Sequence, residues 1–310
     1  MHRKRIKEIN IVFFMTIIFA LFGQGINSII FIYTDNYLLT LLSSQLILIL
    51  PSIVYIIKYK LNIKEAIRFK KIKAVNIILL IVFSYLITPL MSFVNALSML
   101  FFQNTTSSFM EGIIEENGFF LSILIIALVP AIFEEVVYRG IFYNEYRKAK
   151  PLQAIFLSAF LFGIIHGNLN QFVYAFLMGI VFALIIEVTD SILSTMIIHF
   201  FINGTSVTAL HLYSKSMNVE EEASQLEASL DQILTFTEIM KTLLWPAIIC
   251  TILAAFVYVA IAKNEGRWEW IKEIFIKRKN QNEEKLISIS LVIAIVICIV
   301  IMIINEIYLQ

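Results

Sequence analysis

The four imidazoles of this 310-residue chain are His2, His166, His199 and His211, and two of them fall inside long apolar stretches. His166 closes the run Phe162-Gly-Ile-Ile-His166, and His199 opens His199-Phe-Phe-Ile-Asn203. A third apolar stretch holds Glu134-Glu135-Val-Val-Tyr138-Arg139-Gly140. Imidazoles and carboxylates move protons near neutral pH, and a carboxamide can donate to a developing oxyanion. These are the residue types that activate a water molecule and stabilise the intermediate it forms. An ionisable side chain in hydrocarbon costs about 2.5–3.5 kcal/mol on insertion scales, so each one is a functional candidate by default.

Helical spacing sorts them. Glu135 and Arg139 are i,i+4 and can pair along one face. Glu134 is turned about 100° away, and its own i+4 neighbour is Tyr138. One carboxylate is thus neutralised locally while the other has no cation nearby in sequence. A carboxyl short of water beside a second carboxylate is poised to take a proton, as a general base must. His199 and Asn203 project from one face, with Thr195 a turn earlier, and Phe162 and His166 share the same spacing. Glu134, His166 and His199 are also residue types that bind zinc, although nothing matches H-E-x-x-H.

The elements that must position these groups are membrane spans. Of all residues 59% are hydrophobic and 15% charged, with a mean hydropathy of +0.85. That excludes a soluble globule, a disordered chain and a disulfide scaffold. Cys250 and Cys298 lie in separate apolar runs and read as small hydrophobes. Runs of about 20 apolar residues are expected near 11–33, 37–57, 75–102, 119–142, 151–167, 170–187, 190–212, 242–262 and 286–307. The fold class is therefore all-α, a polytopic transmembrane bundle of about nine spans, with eight possible, in which the stretch 151–187 either fully spans or is re-entrant, with amphipathic helices at the interface.

All Lys and Arg except Arg139, Lys215 and Lys241 fall in the N-terminus or in segments 58–74, 143–151 and 263–285. Nine spans put all four segments on one side, which the positive-inside rule makes cytoplasmic. The N-terminus is then inside and the C-terminus outside, in the plasma membrane. Segments 62–73 and 267–279 alternate basic and apolar residues and predict helices lying in the lipid interface. Segment 219–234 predicts an outer amphipathic cap. Glu187 and Asp190 border a turn, where solvation explains them. Counting from these span ends, Glu134 and His199 lie about 8 and 13 Å from the inner edge and His166 about 22 Å from it. That mismatch closes if the first turns after Pro151 lie in the interface.

The order Glu134-Glu135-x-x-x-Arg139, Phe162-x-x-x-His166 and His199-x-x-x-Asn203 on successive spans resembles the CPBP family (CAAX protease and bacteriocin-processing, or Abi). These are intramembrane endopeptidases that include Rce1-like prenyl-protein proteases. The resemblance covers roughly residues 119–212, flanked by N-terminal spans (1–118) and a C-terminal outer loop with further spans (213–310). It implies Glu134 as general base assisted by His166, His199 and Asn203 as oxyanion donors, and Glu135 and Arg139 as supporting residues. A metal-free Glu/His mechanism is favoured, with no cofactor; Zn2+ held by Glu134, His166 and His199 is the alternative. The implied partners are membrane lipids and a membrane-associated protein or peptide: a prenylated tail, a leader peptide or a bacteriocin-type precursor. No nucleic acid is expected. Two rivals are a non-hydrolytic scaffold, immunity or signalling-modulator protein of the same fold and a proton-coupled transporter. The sequence contains no internal repeat of the kind many transporters carry.

Overall fold

The computed structural model describes residues 2–104, 106–216, 235–276 and 285–309. Among them there are helices and no strand. The helices are α1 (His2–Thr34), α2 (Tyr37–Lys58), α3 (Ile63–Ala66), α4 (Ala74–Met99), α5 (Thr106–Tyr146), α6 (Pro151–Ile164), α7 (Leu169–Thr189), α8 (Ile192–Ser216), α9 (Phe236–Thr242), α10 (Leu244–Asn264), α11 (Trp268–Phe275) and α12 (Ile289–Leu309). Eight of these are long and apolar enough to cross a membrane: α1, α2, α4, α5, α7, α8, α10 and α12. The chain is an integral membrane protein. With 14 residues, α6 reaches only about 21 Å, short of a ~30 Å hydrocarbon core. The expected outer cap at 219–234 lies outside the described residues.

Local chemistry marks where helices start and turn. Asn36 and Asn168 accept from the backbone N–H three residues on, at 2.9 and 2.8 Å, capping α2 and α7. Gly167, at φ +66°, makes the sharp turn that lets α7 fold back along α6. These two helices approach closely at Gly179, where an added Cβ would come within 2.6 Å of Ala159 Cα. With lipid outside, such small-residue contacts take the place of a hydrophobic driving force between helices.

All four basic segments meet at one end of the bundle. Asn10 of α1 donates to the Leu286 carbonyl at 2.9 Å and accepts from the Tyr146 hydroxyl at 2.6 Å. The centre of this end is Glu187, which has no exposed surface. Its carboxylate accepts from Arg68 Nη1 at 3.0 Å, Arg147 Nη2 at 2.8 Å and Trp270 Nε1 at 2.7 Å. Its backbone carbonyl accepts from Arg267 Nε at 2.6 Å. Arg68 also reaches Asp190 Oδ1 at 2.8 Å through Nε, and Lys70 pairs with the same carboxylate.

Glu187 and Asp190 are therefore structural tethers and not residues of a solvated turn. The same contacts overturn the interfacial helix expected at 62–73. Helix α3 stops at Ala66, and Arg68 adopts a left-handed φ of 57° to face Asp190, itself at φ 53°. The helix expected from residue 267 forms as α11, but it buries Ile271 and Ile274 against the protein. Residues 277–279 of that stretch lie outside the described residues.

Removing Glu187 would strand three arginines with one carboxylate fewer. Glu187→Ala is expected to lower the unfolding free energy in detergent by about 3–5 kcal/mol, and Glu187→Gln by less. Burial opposes ionisation of Asp190, but Arg68, Lys70 and Arg267 hold its carboxyl down at about 2 against an ordinary 3.8. Its folded pKa lies below the unfolded one, so its stabilisation is complete above about pH 4 and is lost as pH falls toward 2. An acid titration of the melting temperature should show that loss in the wild type and a smaller one in Asp190→Asn.

Candidate active site

The site is built around an irregular helix. Gly118 (φ 70°, ψ 169°) breaks α5 near its start, and two stretches of wider π-type turns, Ile123–Leu128 and Val136–Tyr143, flank Pro130 and the Glu134-Glu135 pair. Pro130 has no N–H, so the Ile126 carbonyl loses its regular i+4 donor. Asn203 Nδ2 of α8 donates to that carbonyl at 3.2 Å, which orients the carboxamide and leaves its second N–H free.

Glu135 is completely buried, and its Oε1 accepts from Arg139 Nη1 and from His199 Nδ1, each at 2.9 Å. The i,i+4 pair expected from sequence is thus present, and the same carboxylate orients a histidine from another helix. Arg139 is 1% exposed and lies over the rings of Phe162 and Phe182, at 4.2 and 4.8 Å from their centroids. Cation–π contacts of this kind compensate a desolvated guanidinium. Phe182 also packs on the His199 ring at 5.2 Å.

With Nδ1 committed to Glu135, His199 has Nε2 left for other chemistry, 3.9 Å from Glu134 Oε2. The other oxygen of Glu134 accepts from Gln45 Nε2 of α2 at 3.0 Å. His166 Nδ1 donates to the Phe162 carbonyl at 2.8 Å, so Nε2 is the nitrogen able to accept a proton. Glu134, His166, His199 and Asn203 all line one cavity of about 580 Å3, while Glu135 and Arg139 stand behind it.

The depth mismatch narrows because α5 runs on to Tyr146. Glu134 is then about 18 Å from that end, close to the 22 Å of His166. The cavity also draws on α1, α2 and α4, through residues such as Gln24, Gln45 and Met91. Sequence reading missed Gln45. Its one signal was a large carboxamide inside the apolar run of α2.

No three His, Cys, Asp or Glu side chains among the described residues are grouped as ligands of one metal ion. His199 is anchored through Nδ1 and keeps Nε2, and Gln45 engages one oxygen of Glu134 and leaves the other.

The fold and site define a polytopic helical membrane protein with a carboxylate–histidine–carboxamide cluster facing a cavity within the bundle. Residues 116–205 match the family model described as Rce1-like, type II CAAX prenyl endopeptidase Rce1-like. The match spans Glu134 through Asn203 and leaves α1 to α4 and α9 to α12 outside it. No curated protein and no solved structure matches the chain.

The Glu135 anchor separates stability from site geometry. Glu135→Ala leaves Arg139 buried and unpaired, and is expected to lower the unfolding free energy by about 3–5 kcal/mol. The double variant Glu135→Leu/Arg139→Leu should recover most of that loss, because apolar side chains can replace a buried ion pair. It should not recover function, because His199 keeps no Nδ1 partner. Melting curves and a functional assay on the same preparations check both outcomes.

Proposed function

We propose that the protein is an intramembrane endopeptidase that hydrolyses a peptide bond of a membrane-associated protein or peptide through an activated water, without a covalent acyl-enzyme. The observation that carries this reading is the convergence of Glu134, His166, His199 and Asn203 on one cavity, from α5, the α6–α7 turn and α8. The Rce1-like domain match over the same residues supports it.

Each group then has a role that follows from its surroundings. Glu134 takes a proton from water as the oxygen attacks the scissile carbonyl carbon, and later delivers it to the leaving amine. His166, with Nε2 free, assists by holding the water or relaying the proton. The carbonyl oxygen becomes an oxyanion, which His199 Nε2–H and the free N–H of Asn203 stabilise. For His199 to donate from Nε2 it must carry both ring protons. In that form Glu134, Glu135, Arg139 and His199 sum to zero charge, the balanced state for a desolvated cluster. Glu135 thus holds the ring in place through Nδ1.

The basic segments, read with the positive-inside rule, put the end that holds Glu187 in the cytoplasm and the C-terminus of α12 outside.

New peptide termini in membranes carrying wild type or Glu134→Gln at matched levels test the reading by mass spectrometry. Termini dependent on Glu134 are expected, with turnover in Glu134→Gln lower by about 10²–10⁴-fold. Identical termini over a broad substrate set would replace hydrolysis with a binding or regulatory role. In the metal-free form of the mechanism, cleavage survives exhaustive chelation. Loss on chelation with recovery on adding Zn2+ would assign the water to a metal instead.

A further inference from the structure

We infer that the carboxamides of Gln45 and Asn170 bind the backbone of an extended, unlipidated peptide, which reaches Glu134 from the end of the bundle opposite the basic segments. The inference rests on the proteolytic reading and names the substrate class and its route of entry.

The shape of the cavity gives the route. Along α5 its lining stops at Tyr138, and the next turns toward the basic end present Phe142, Tyr143 and Tyr146, all without exposed surface. No residue of α1 before Ala20 or of α2 beyond Leu48 lines it, and between Met178 and His199 the chain contributes nothing. In the other direction it continues to Asn27 near the end of α1, Asn95 near the end of α4, Asn104 in the connection between α4 and α5, and Ser107 at the start of α5. The site is thus closed on the side of Glu187 and open toward the far end.

The lining gives the chemistry. Among the described residues its only titratable side chains are Glu134, Tyr138, His166, Tyr174 and His199, and no described Lys, Arg or Asp reaches it. The passage from the far end is lined by neutral hydrogen-bonding groups, among them Asn27, Ser44, Asn95, Asn104, Ser107 and Gln171. Three residues lining the cavity carry buried polar atoms without partners: Tyr138, through its hydroxyl, and the two carboxamides Gln45 and Asn170. Gln45 is 7% exposed, and its Oε1 accepts nothing while Nε2 donates to Glu134. Asn170, four residues after His166, is 2% exposed, and its Nδ2 donates to nothing.

Buried polar groups left unsatisfied are rare in native structures, and each calls for an explanation. The Gln45 orphan is an acceptor and the Asn170 orphan a donor, which is the pair that a peptide N–H and C=O complete. An extended strand offers such groups at every residue. An isoprenoid chain would cover the two carboxamides and leave both unpaired.

Asn170→Leu separates a substrate-binding role from a structural one. It removes an orphan donor at similar volume, so the melting temperature should stay the same or rise. It should raise KM about tenfold with kcat within about twofold. Purified protein is assayed against two pools, unmodified decapeptides and the same decapeptides carrying an S-farnesylcysteine, with Glu134→Gln as the zero. Cleavage of the unmodified pool with the KM shift is the expected result. Cleavage of the farnesylated pool alone, or a lowered melting temperature with KM unchanged, overturns this inference and leaves proteolysis standing. No Glu134-dependent cleavage of either pool overturns the proteolytic reading and this inference with it.

The route is tested in detergent, where both ends are accessible, after Cys250→Ser and Cys298→Ser. A bulky maleimide on Ser107→Cys should block cleavage, and the same reagent on Lys60→Cys should not. The reverse pattern overturns the entry route.

Discussion

Glu187 holds four separate stretches of chain together without touching solvent. Arg68 from the α3–α4 connection, Arg147 from the end of α5, and Arg267 and Trp270 from the end of the molecule that follows α10 all bond to this one residue. The Glu187 carboxylate is itself fully withdrawn from water, so it is stable only while these partners are in place. The arrangement brings the foot of α5, the foot of α7 and the start of α8 to a common level. The Ile192 N–H, donating to the Arg68 carbonyl at 3.1 Å, adds a backbone link to the same knot. Phe182, seven residues before Thr189, and His199, seven after Ile192, consequently meet beside the Glu134-Glu135 pair.

The same constraint operates again at the site, with a different result. Glu135 accepts from both Arg139 and His199 through one oxygen, and it serves geometry. Its neighbour Glu134 receives one hydrogen bond from a neutral carboxamide and faces a cavity. Two adjacent carboxylates are thus placed in opposite surroundings, one held within packed protein and one facing the cavity. The 100° rotation between consecutive helical residues is enough to do this, since it turns one toward packed protein and the other toward open space.

Helical regularity is given up where the cavity needs room. Pro130 removes a donor and the π-type turns on either side of it widen the coil, so carbonyls that would be spent within the helix become available to other elements. Asn203 uses one of them, at Ile126. Its position therefore depends on a defect in a neighbouring helix, while its type and spacing from His199 depend on α8 alone.

Much of this was legible in the sequence, because the physics involved is local. Apolar runs of membrane length, the asymmetry of Lys and Arg, and the i,i+4 relations of Glu135 with Arg139 and His199 with Asn203 need nothing beyond the geometry of a single helix. So does the contrast between Glu134 and Glu135. What the tertiary structure decided was every relation between helices distant in sequence. Glu187 and Asp190 look like turn residues until Arg68 is seen 119 positions away in sequence from its partner. Gln45 looks like a stray amide until α2 brings it to Glu134, 89 positions on. The segment at 62–73 has the alternation of an interfacial helix, yet Arg68 gains more from the buried Glu187 and the half-buried Asp190 than a helix would gain from lipid. In each case the deciding term is the desolvation of a polar group. That term is set by what surrounds the group in three dimensions, and sequence spacing carries no record of it.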